Sequence, residues 1–118
     1  MQYMLLIYGN EKAANDMPEA EKGKHFNAYF EFTNDVKKSG HYIAGAPLQP
    51  IATATTVRVR DGKTQTTDGP FAETREQLGG YYLVEAKDLD EATKIAARIP
   101  GALIGSIEVR PVMIIPGL

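Results

Sequence analysis

The sequence predicts a single α+β domain in which helices cover one face of a mostly antiparallel sheet. Strand-like and helix-like segments alternate in the order strand, helix, strand, hairpin, strand, helix, strand, which is an elaborated βαββαβ pattern. The chain has 118 residues, enough for one domain with a core of its own. Its composition is 43% hydrophobic and 24% charged, as in ordinary globular proteins. Residues 1–118 are therefore treated as one domain.

Patterns near the N-terminus predict the first strand and the first helix. Tyr3 to Tyr8 is a short aliphatic and aromatic run, typical of a strand that is apolar on both faces. The polar segment Glu11 to Asp16 is predicted to be a loop, and Asp16 followed by Glu19 is typical of the capped start of a helix. This helix is expected to end near Ser39. Its apolar face is expected to contain Phe26, Tyr29, Phe30, Thr33 and Val36.

The middle of the chain predicts a short strand and a hairpin. His41 to Gly45 is predicted to be a brief strand, followed by a proline-stiffened connection. Thr55 to Arg60 and Lys63 to Thr67 are predicted to pair, because Asp61-Gly62 between them is the strongest short hairpin signal. The polar side chains of this hairpin favour the edge of the sheet.

The second half predicts the central strand, the second helix and the last strand. Tyr81 to Ala86 is rich in aromatic and branched residues, which favours a central strand. A helix is expected over Leu89 to Ile99, with Asp88 as its N-cap. Ser106 to Ile115 is predicted to be a strand, and Pro111 within it favours a sheet edge or a bulge. The buried stripe of the second helix is expected to contain Leu89, Ala92, Ile95, Ala96 and Ile99.

Two of the predicted strands need cover on both faces. Tyr3 to Tyr8 and Tyr81 to Val84 are apolar on both sides, whereas one layer of helices covers only one face of a sheet. An exposed face of this kind would be a large apolar patch. Pairing of the sheets of two copies, in a homodimer, is the simplest cover.

Charge and cysteine content exclude several classes of function. The net charge is −2, which gives no electrostatic argument for binding nucleic acid or an anionic membrane. The absence of cysteine excludes disulfides, thiolate nucleophiles and iron–sulfur clusters. No basic leader and no run of about 18 apolar residues is present, so neither a signal peptide nor a membrane span is predicted. The expected location is the cytoplasm.

The segment from Thr67 to Gly80 joins the hairpin to the central strand and is the strongest candidate for a functional site. Asp68-Gly69-Pro70 predicts a rigid corner, because glycine adopts positive φ freely and proline fixes φ. A carboxylate at this corner can act as a general base, bind a cation or accept hydrogen bonds from a ligand. Alternatively, Asp68 caps its own turn. Phe71 is expected either to line an apolar pocket or to anchor the loop.

Charged residues extend this candidate site. Glu73, Arg75 and Glu76 form a mixed cluster that can bind a polar ligand or pair across a subunit boundary, although most such clusters are solvated surface. Glu108 and Arg110 are two residues apart on a strand and share one face. If that face turns to the dimer interior, Arg110 can hold an anionic group in a bidentate contact. If it faces water, both are ordinary surface charges.

Other common sites find little support. His25 and His41 are the only histidines, and neither has a His or Cys partner at ligand spacing, so no metal site is predicted. His25 is expected on a helix surface, whereas His41 begins a strand and can reach a pocket. Gly79-Gly80 precedes a strand, which favours a bulge or a close backbone approach over a phosphate loop. No Ser-His-Asp order, Walker motif or dinucleotide fingerprint is present, and no cofactor is predicted.

The segment Asp68 to Glu76 resembles the signature of the DGPFAETKE proteins, a branch of the YCII-related family, with Arg75 where that signature usually has Lys. The resemblance extends along nearly the whole chain. The other matching segments are Met4-Leu5-Leu6-Ile7, Thr56-Val57-Arg58, Gly79-Gly80-Tyr81-Tyr82, Asp90-Glu91-Ala92 and Glu108-Val109-Arg110-Pro111. It implies a ferredoxin-like domain that dimerises sheet to sheet as a dimeric α/β barrel.

The resemblance also implies possible functions. Some relatives in the wider family are dehydrochlorinase-type enzymes of aromatic degradation, for which a histidine–aspartate pair has been suggested, and some DGPF proteins accompany extracytoplasmic-function sigma factors. Asp68 is the candidate aspartate, but neither histidine lies in a matching segment. We therefore expect a homodimer that binds a small polar or aromatic molecule near the motif. The alternatives are a lyase or isomerase with Asp68 as general base, and a protein partner of a sigma factor. The expected ligand-binding residues are Gly69, Pro70, Phe71, Glu73 and Arg110.

Overall fold

The computed structural model describes residues 1–118 as two antiparallel sheets, of four and two strands, with three α-helices. The strands are β1 Gln2–Gly9, β2 Tyr42–Pro47, β3 Thr55–Arg60, β4 Lys63–Asp68, β5 Gln77–Glu85 and β6 Ser106–Pro111. The helices are α1 Glu11–Asn15, α2 Glu19–Lys38 and α3 Leu89–Ala97. The larger sheet has the order β2-β5-β1-β6, and β3 pairs only with β4. The predicted α+β class is confirmed. No helix is long and apolar enough to cross a bilayer.

One hydrophobic core lies between the larger sheet and the helices α2 and α3. Alternate residues of β1 and β5 meet the inner faces of both helices. The buried members of this core are Tyr3, Leu5, Phe32, Val36, Tyr82, Val84, Ala86, Ala92, Ile95, Ala96 and Ile99. Because both helices pack on the same face, the opposite face of the sheet has no covering layer from its own chain. We call that opposite face the open face.

The buried side of α2 differs from the predicted one. Phe32 and Val36 are buried, whereas Phe26 and Phe30 are 67% and 62% exposed. These two exposed rings lie 6.0 Å apart, centroid to centroid, on the outer surface of the helix. The prediction was wrong for Phe26 and Phe30 because the side of α2 that faces the sheet runs through Phe32 and Val36, with the partly buried Tyr29 beside them. In α3 the exposed Leu89 likewise falls outside the buried stripe.

The segment before α2 contains a short helix, although Glu11 to Asp16 was predicted to be a loop. Residues 11–15 form α1, because the side chain of Asn10 accepts a hydrogen bond from Ala13 N at 2.8 Å and caps the helix. Asp16 is the C-cap of α1, and Pro18 stands at the N-cap of α2 without a side-chain hydrogen bond. The capped start predicted at Asp16 was therefore wrong. At the other end of the chain, β6 ends at Pro111.

The hairpin of β3 and β4 stands apart from the larger sheet, and we call it the arm. Asp61 and Gly62 have φ values of 52° and 75°, the pair of positive angles that a tight hairpin turn requires. The hairpin prediction is confirmed, but its placement at the sheet edge was wrong. Pro50, which has no N–H to extend the ladder, opens a short 3₁₀ turn between β2 and the arm. The radius of gyration is 16.3 Å, against about 13.5 Å for a compact domain of this length.

Candidate functional site

The segment from Thr67 to Gly80, which we call the motif segment, enters the larger sheet through a β-bulge. Ile7 of β1 pairs with Gly80, but the next residue of β1 pairs with Leu78, which leaves Gly79 as the extra residue. A Cβ atom added at Gly80 would lie 2.9 Å from the carbonyl oxygen of Ala46, so the backbones of β5 and β2 approach closely here. The predicted bulge and the predicted close approach are both present, at neighbouring glycines.

The corner at the base of the arm is held by backbone groups. Asp68 is the last residue of β4 and pairs with Thr55, and its side chain is exposed. Gly69 has a φ of 98°, and its N–H donates to the carbonyl oxygen of Ala54 at 2.7 Å. The hydroxyl of Thr56 donates to the carbonyl oxygen of Gly69 at 2.8 Å. These contacts close the corner without the Asp68 carboxylate, which takes part in no ion pair of the structure.

The residues that follow the corner project away from the core. Pro70 and Glu73 are exposed, and the side chain of Phe71 is 79% exposed. Phe71 is therefore not a buried anchor of the loop within its own chain. Glu76 turns to β6, where its carboxylate accepts a hydrogen bond from the hydroxyl of Ser106 at 2.7 Å.

Glu108 and Arg110 lie on the open face of the sheet. Glu108 pairs with Leu6 and Arg110 pairs with Met4, whereas Ile107 packs against the core on the helix side. Of the two orientations that the sequence allows, the structure has the one in which the charges share a face with apolar residues of β1.

Arg110 forms an ion pair with Glu108. Its Nε donates to the carboxylate of Glu108 at 2.9 Å, and a terminal guanidinium nitrogen contacts the same oxygen. The hydrogen bond that Arg110 donates to Glu108, together with the negative charge of Glu108, raises the pKa of Arg110 above its ordinary value. Arg110 therefore stays charged, and an anion arriving at this face would compete with Glu108 for its donors.

The open face is apolar beside this ion pair. Half-buried aliphatic and aromatic side chains of β1 and β5 occupy its centre: Met4, Leu6, Tyr8, Tyr81 and Leu83. Met4 pairs with Leu83 and Leu6 pairs with Tyr81 across the β1–β5 ladder, and Tyr8 pairs with Ser106 of β6. These side chains screen one another only partly, because no helix packs on this face.

A polar cleft of about 500 Å³ lies beside the motif segment, where β1 leads into α1. Its lining residues come from three parts of the chain: Asn10, Glu11, Lys12, Asn15, Ile51, Thr74, Arg75 and Gln77. Gln77 holds these parts together, because its Oε1 accepts from Glu11 N at 2.9 Å and its Nε2 donates to Thr74 O at 2.5 Å. The carboxylate of Glu11 in turn accepts from Ile51 N at 3.1 Å. We call this cleft the motif cleft.

The two histidines lie at separate places. His25 borders a second cleft, of about 320 Å³, together with Leu103 and Ile104 at the end of the 3₁₀ turn Pro100–Leu103. Its ring packs edge-on against Tyr29 at 5.1 Å between centroids. Burial raises the pKa of Tyr29, whose hydroxyl accepts from the backbone N–H of Gly101 at 3.2 Å. His25 is thus half-buried and not simply on the surface.

His41 bridges the ends of two helices. Its Nδ1 lies 2.7 Å from the hydroxyl of Ser39, and its Nε2 lies 3.3 Å from the carboxylate of Glu91. The hydroxyl of Ser39 also donates to the carbonyl oxygen of Val36. Neither histidine contacts Asp68, and no group of three or more residues is arranged to hold a metal ion.

The predicted site residues do not converge in a single chain. Asp68, Gly69, Pro70, Phe71 and Glu73 follow one another along the base of the arm, and Arg110 lies on the edge strand β6. Neither of the two clefts is lined by any of them. The motif residues that do line a cleft are Thr74, Arg75 and Gln77.

Comparisons with known proteins identify the fold and the family. Residues 1–115 match the YCII-related domain. An uncharacterised protein of Rhizobium meliloti (strain 1021) is 35% identical over 113 residues, covering 94% of this chain and 91% of that protein. The structure is similar, with a TM-score of 0.55 and 13% identity, to 5-chloro-2-hydroxyhydroquinone dehydrochlorinase of Burkholderia phenoliruptrix in complex with 2,5-dihydroxybenzoquinone, over 96% of this chain and 94% of that one. At this identity the similarity concerns the fold.

Proposed function

The chain belongs to the YCII-related domain family, and from this premise we propose that it acts as a homodimer that binds a small polar or aromatic molecule beside the DGPF segment, residues 68–71. The same segment supports a place in the DGPF branch of the family. The proposed pocket is formed by Asp68, Gly69, Pro70, Phe71, Glu73 and Arg110, with contributions from both copies.

The open face carries this proposal. Leu6 and Tyr81 pair with each other at its centre and are only half-buried, although they belong to the two central strands. An antiparallel sheet commonly leaves one face to water when that face is polar, but the open face here is apolar at its centre. Two copies stacked through their open faces would cover it. In such a pair Arg110 lies at the interface between the sheets.

The arm supports the same arrangement. An isolated two-stranded hairpin is marginally stable in water, yet β3 and β4 pair along their full length with no layer against them. Val57 and Val59 are each 59% exposed on β3. A second copy would shelter the arm, and it would bring Asp68 and Phe71 of one copy toward the sheet of the other.

An enzymatic role is the alternative that the structural neighbour favours. That protein is a dehydrochlorinase seen with a small quinone, which fits the polar or aromatic ligand proposed here. In this role the free Asp68 carboxylate acts as general base and Arg110 as anion clamp, in a lyase or isomerase reaction. The third alternative is docking on a sigma factor, in which the exposed Phe71 would contact the partner protein.

The dimer is tested by paired charge substitutions. Leu6→Lys places a charge in the middle of the open face, whereas Phe26→Lys places the same charge on the outer surface of α2. We expect light scattering at micromolar concentration to give a dimer for the parent and Phe26→Lys, and a monomer for Leu6→Lys with unchanged circular dichroism. Met4→Lys is the second open-face variant, in case Leu6→Lys does not fold. A monomeric parent would overturn the proposal.

The pocket is tested by ligand-induced stabilisation. A screen of small acids, phenols and quinones is run by thermal shift on the parent and on Asp68→Asn. A compound at about 100 times its Kd stabilises the native state by about 2.7 kcal/mol, and this shift should shrink in Asp68→Asn. If every hit stabilises both proteins equally, Asp68 does not contact the ligand.

A further inference from the structure

We infer that the motif cleft is an oxyanion-binding site, contained within one chain, in which Arg75 and Lys12 hold a carboxylate or phosphate group. This site needs no second copy and does not include Asp68, so it is independent of the pocket proposed above.

The charges of the cleft favour an anion. Lys12 and Arg75 both line it, and neither takes part in any ion pair of the structure. The third charged lining residue is Glu11, whose carboxylate already accepts the N–H of Ile51 at 3.1 Å. Two cations against one engaged carboxylate leave the cleft with a local charge of about +1, although the whole chain carries −2.

The position of Arg75 is fixed on both sides. The carbonyl oxygen of Thr74 accepts from Gln77 Nε2 at 2.5 Å, and the hydroxyl of Thr74 donates to the carbonyl oxygen of Glu76 at 2.6 Å. Arg75 therefore extends from a tight turn whose backbone is held by side chains. A guanidinium on a preorganised backbone loses less freedom when it binds an oxyanion through two parallel hydrogen bonds.

Polar donors complete the cleft. The Oδ1 atom of Asn10 accepts from Ala13 N, which leaves its amide N–H₂ available as a donor. The exposed Asn15 also lines the cleft. Ile51 is the single hydrophobic residue of the lining. A volume of about 500 Å³ is within the range of small-molecule sites, and this lining suits a compact hydrophilic anion.

Titration calorimetry at low ionic strength tests the site with two probes, inorganic phosphate and succinate, against sodium chloride of matched ionic strength. We expect at least one probe to bind, and the one that binds more tightly identifies the phosphate or the carboxylate as the group recognised. Arg75→Gln should weaken binding by about tenfold or more, the loss typical of a charge-assisted hydrogen bond, and Lys12→Gln should weaken it as well. The matched control is Arg58→Gln, which removes an exposed, unpaired cation of the arm and should leave the affinity within about twofold.

Three outcomes would overturn the inference. They are the absence of binding by both probes, an equal loss in Arg58→Gln and Arg75→Gln, and a comparable loss in Asp68→Asn. Because Asp68→Asn is expected to retain oxyanion binding, failure of this site and failure of the proposed function are separately visible. The side-chain amide resonance of Gln77 in ¹⁵N spectra should shift on binding, which places the probe in the motif cleft.

Discussion

Alanine at Gly80 should destabilise the protein, whereas alanine at its neighbour Gly79 should not. A Cβ at Gly80 would lie 2.9 Å from the carbonyl oxygen of Ala46 and 3.2 Å from the Cα of Pro47. Both atoms belong to the backbone of β2, so neither can rotate aside. At Gly79 the nearest such atom is the carbonyl oxygen of Ile7, at 4.0 Å, which is ordinary contact.

Two opposing effects set the magnitude. Replacing glycine by alanine stabilises by about 0.4–1 kcal/mol through the unfolded chain where the native backbone tolerates it. Forcing an extra carbon into a packed site costs about 1–3 kcal/mol. Since the first effect is shared by both variants, the difference between Gly79→Ala and Gly80→Ala isolates the contact with β2 and should be about 1–3 kcal/mol.

Urea unfolding at one fixed protein concentration measures this difference. With a slope of about 2 kcal/mol per molar urea for a domain of this size, the two midpoints should differ by about 1 M, with Gly80→Ala the lower. Equal slopes would show that the change is one of stability. Coincident midpoints, or a lower midpoint for Gly79→Ala, would refute the close approach of the Gly80 backbone to β2.

Two further predictions concern the core. Burial raises the pKa values of Tyr29 and Tyr82 above their ordinary value of about 10, so the native state keeps these protons at a pH where the unfolded state loses them. The free energy of unfolding should therefore fall as the pH rises above about 10. Urea unfolding from pH 9 to 11 should show a smaller fall for Tyr82→Phe than for the parent. Phe32→Ala should cost about 3–5 kcal/mol, because Phe32 is 4% exposed and packs on Tyr82, whereas Phe30→Ala should change the unfolding free energy by less than about 1 kcal/mol.

Local patterns predicted most elements of the fold. The arm turn at Asp61-Gly62, the N-cap at Asp88 and the edge position of Pro111 each follow from the conformational preferences of one or two residues. These features depend on neighbours in the sequence, which is why the sequence alone suffices for them.

Features set by distant contacts were harder to predict. Phe26 and Phe30 suit an apolar helix face as well as Phe32 does, and the rotation of α2 on the sheet decides between them. The face of Arg110 depends on its register with Met4, more than a hundred residues earlier in the chain. No local signal contains that information.

The candidate site shows the same division. The corner and the glycine pair were visible in the sequence, because turn chemistry is local. The motif cleft was not, since Gln77 meets Glu11 only after β1 and β5 pair. Lys12 and Asn15 lie in a segment that was predicted to be a loop, whereas in the structure they belong to α1 and line the motif cleft.

The position of β1 delays the closure of the larger sheet during synthesis. β1 precedes β5 and β6 in the chain but lies between them in the sheet. Its ladder with β6 therefore cannot close until the chain has been made through Pro111. Until then the edge of β1 that later pairs with β6 has no partner strand, and an unpaired apolar edge of this kind favours aggregation during folding.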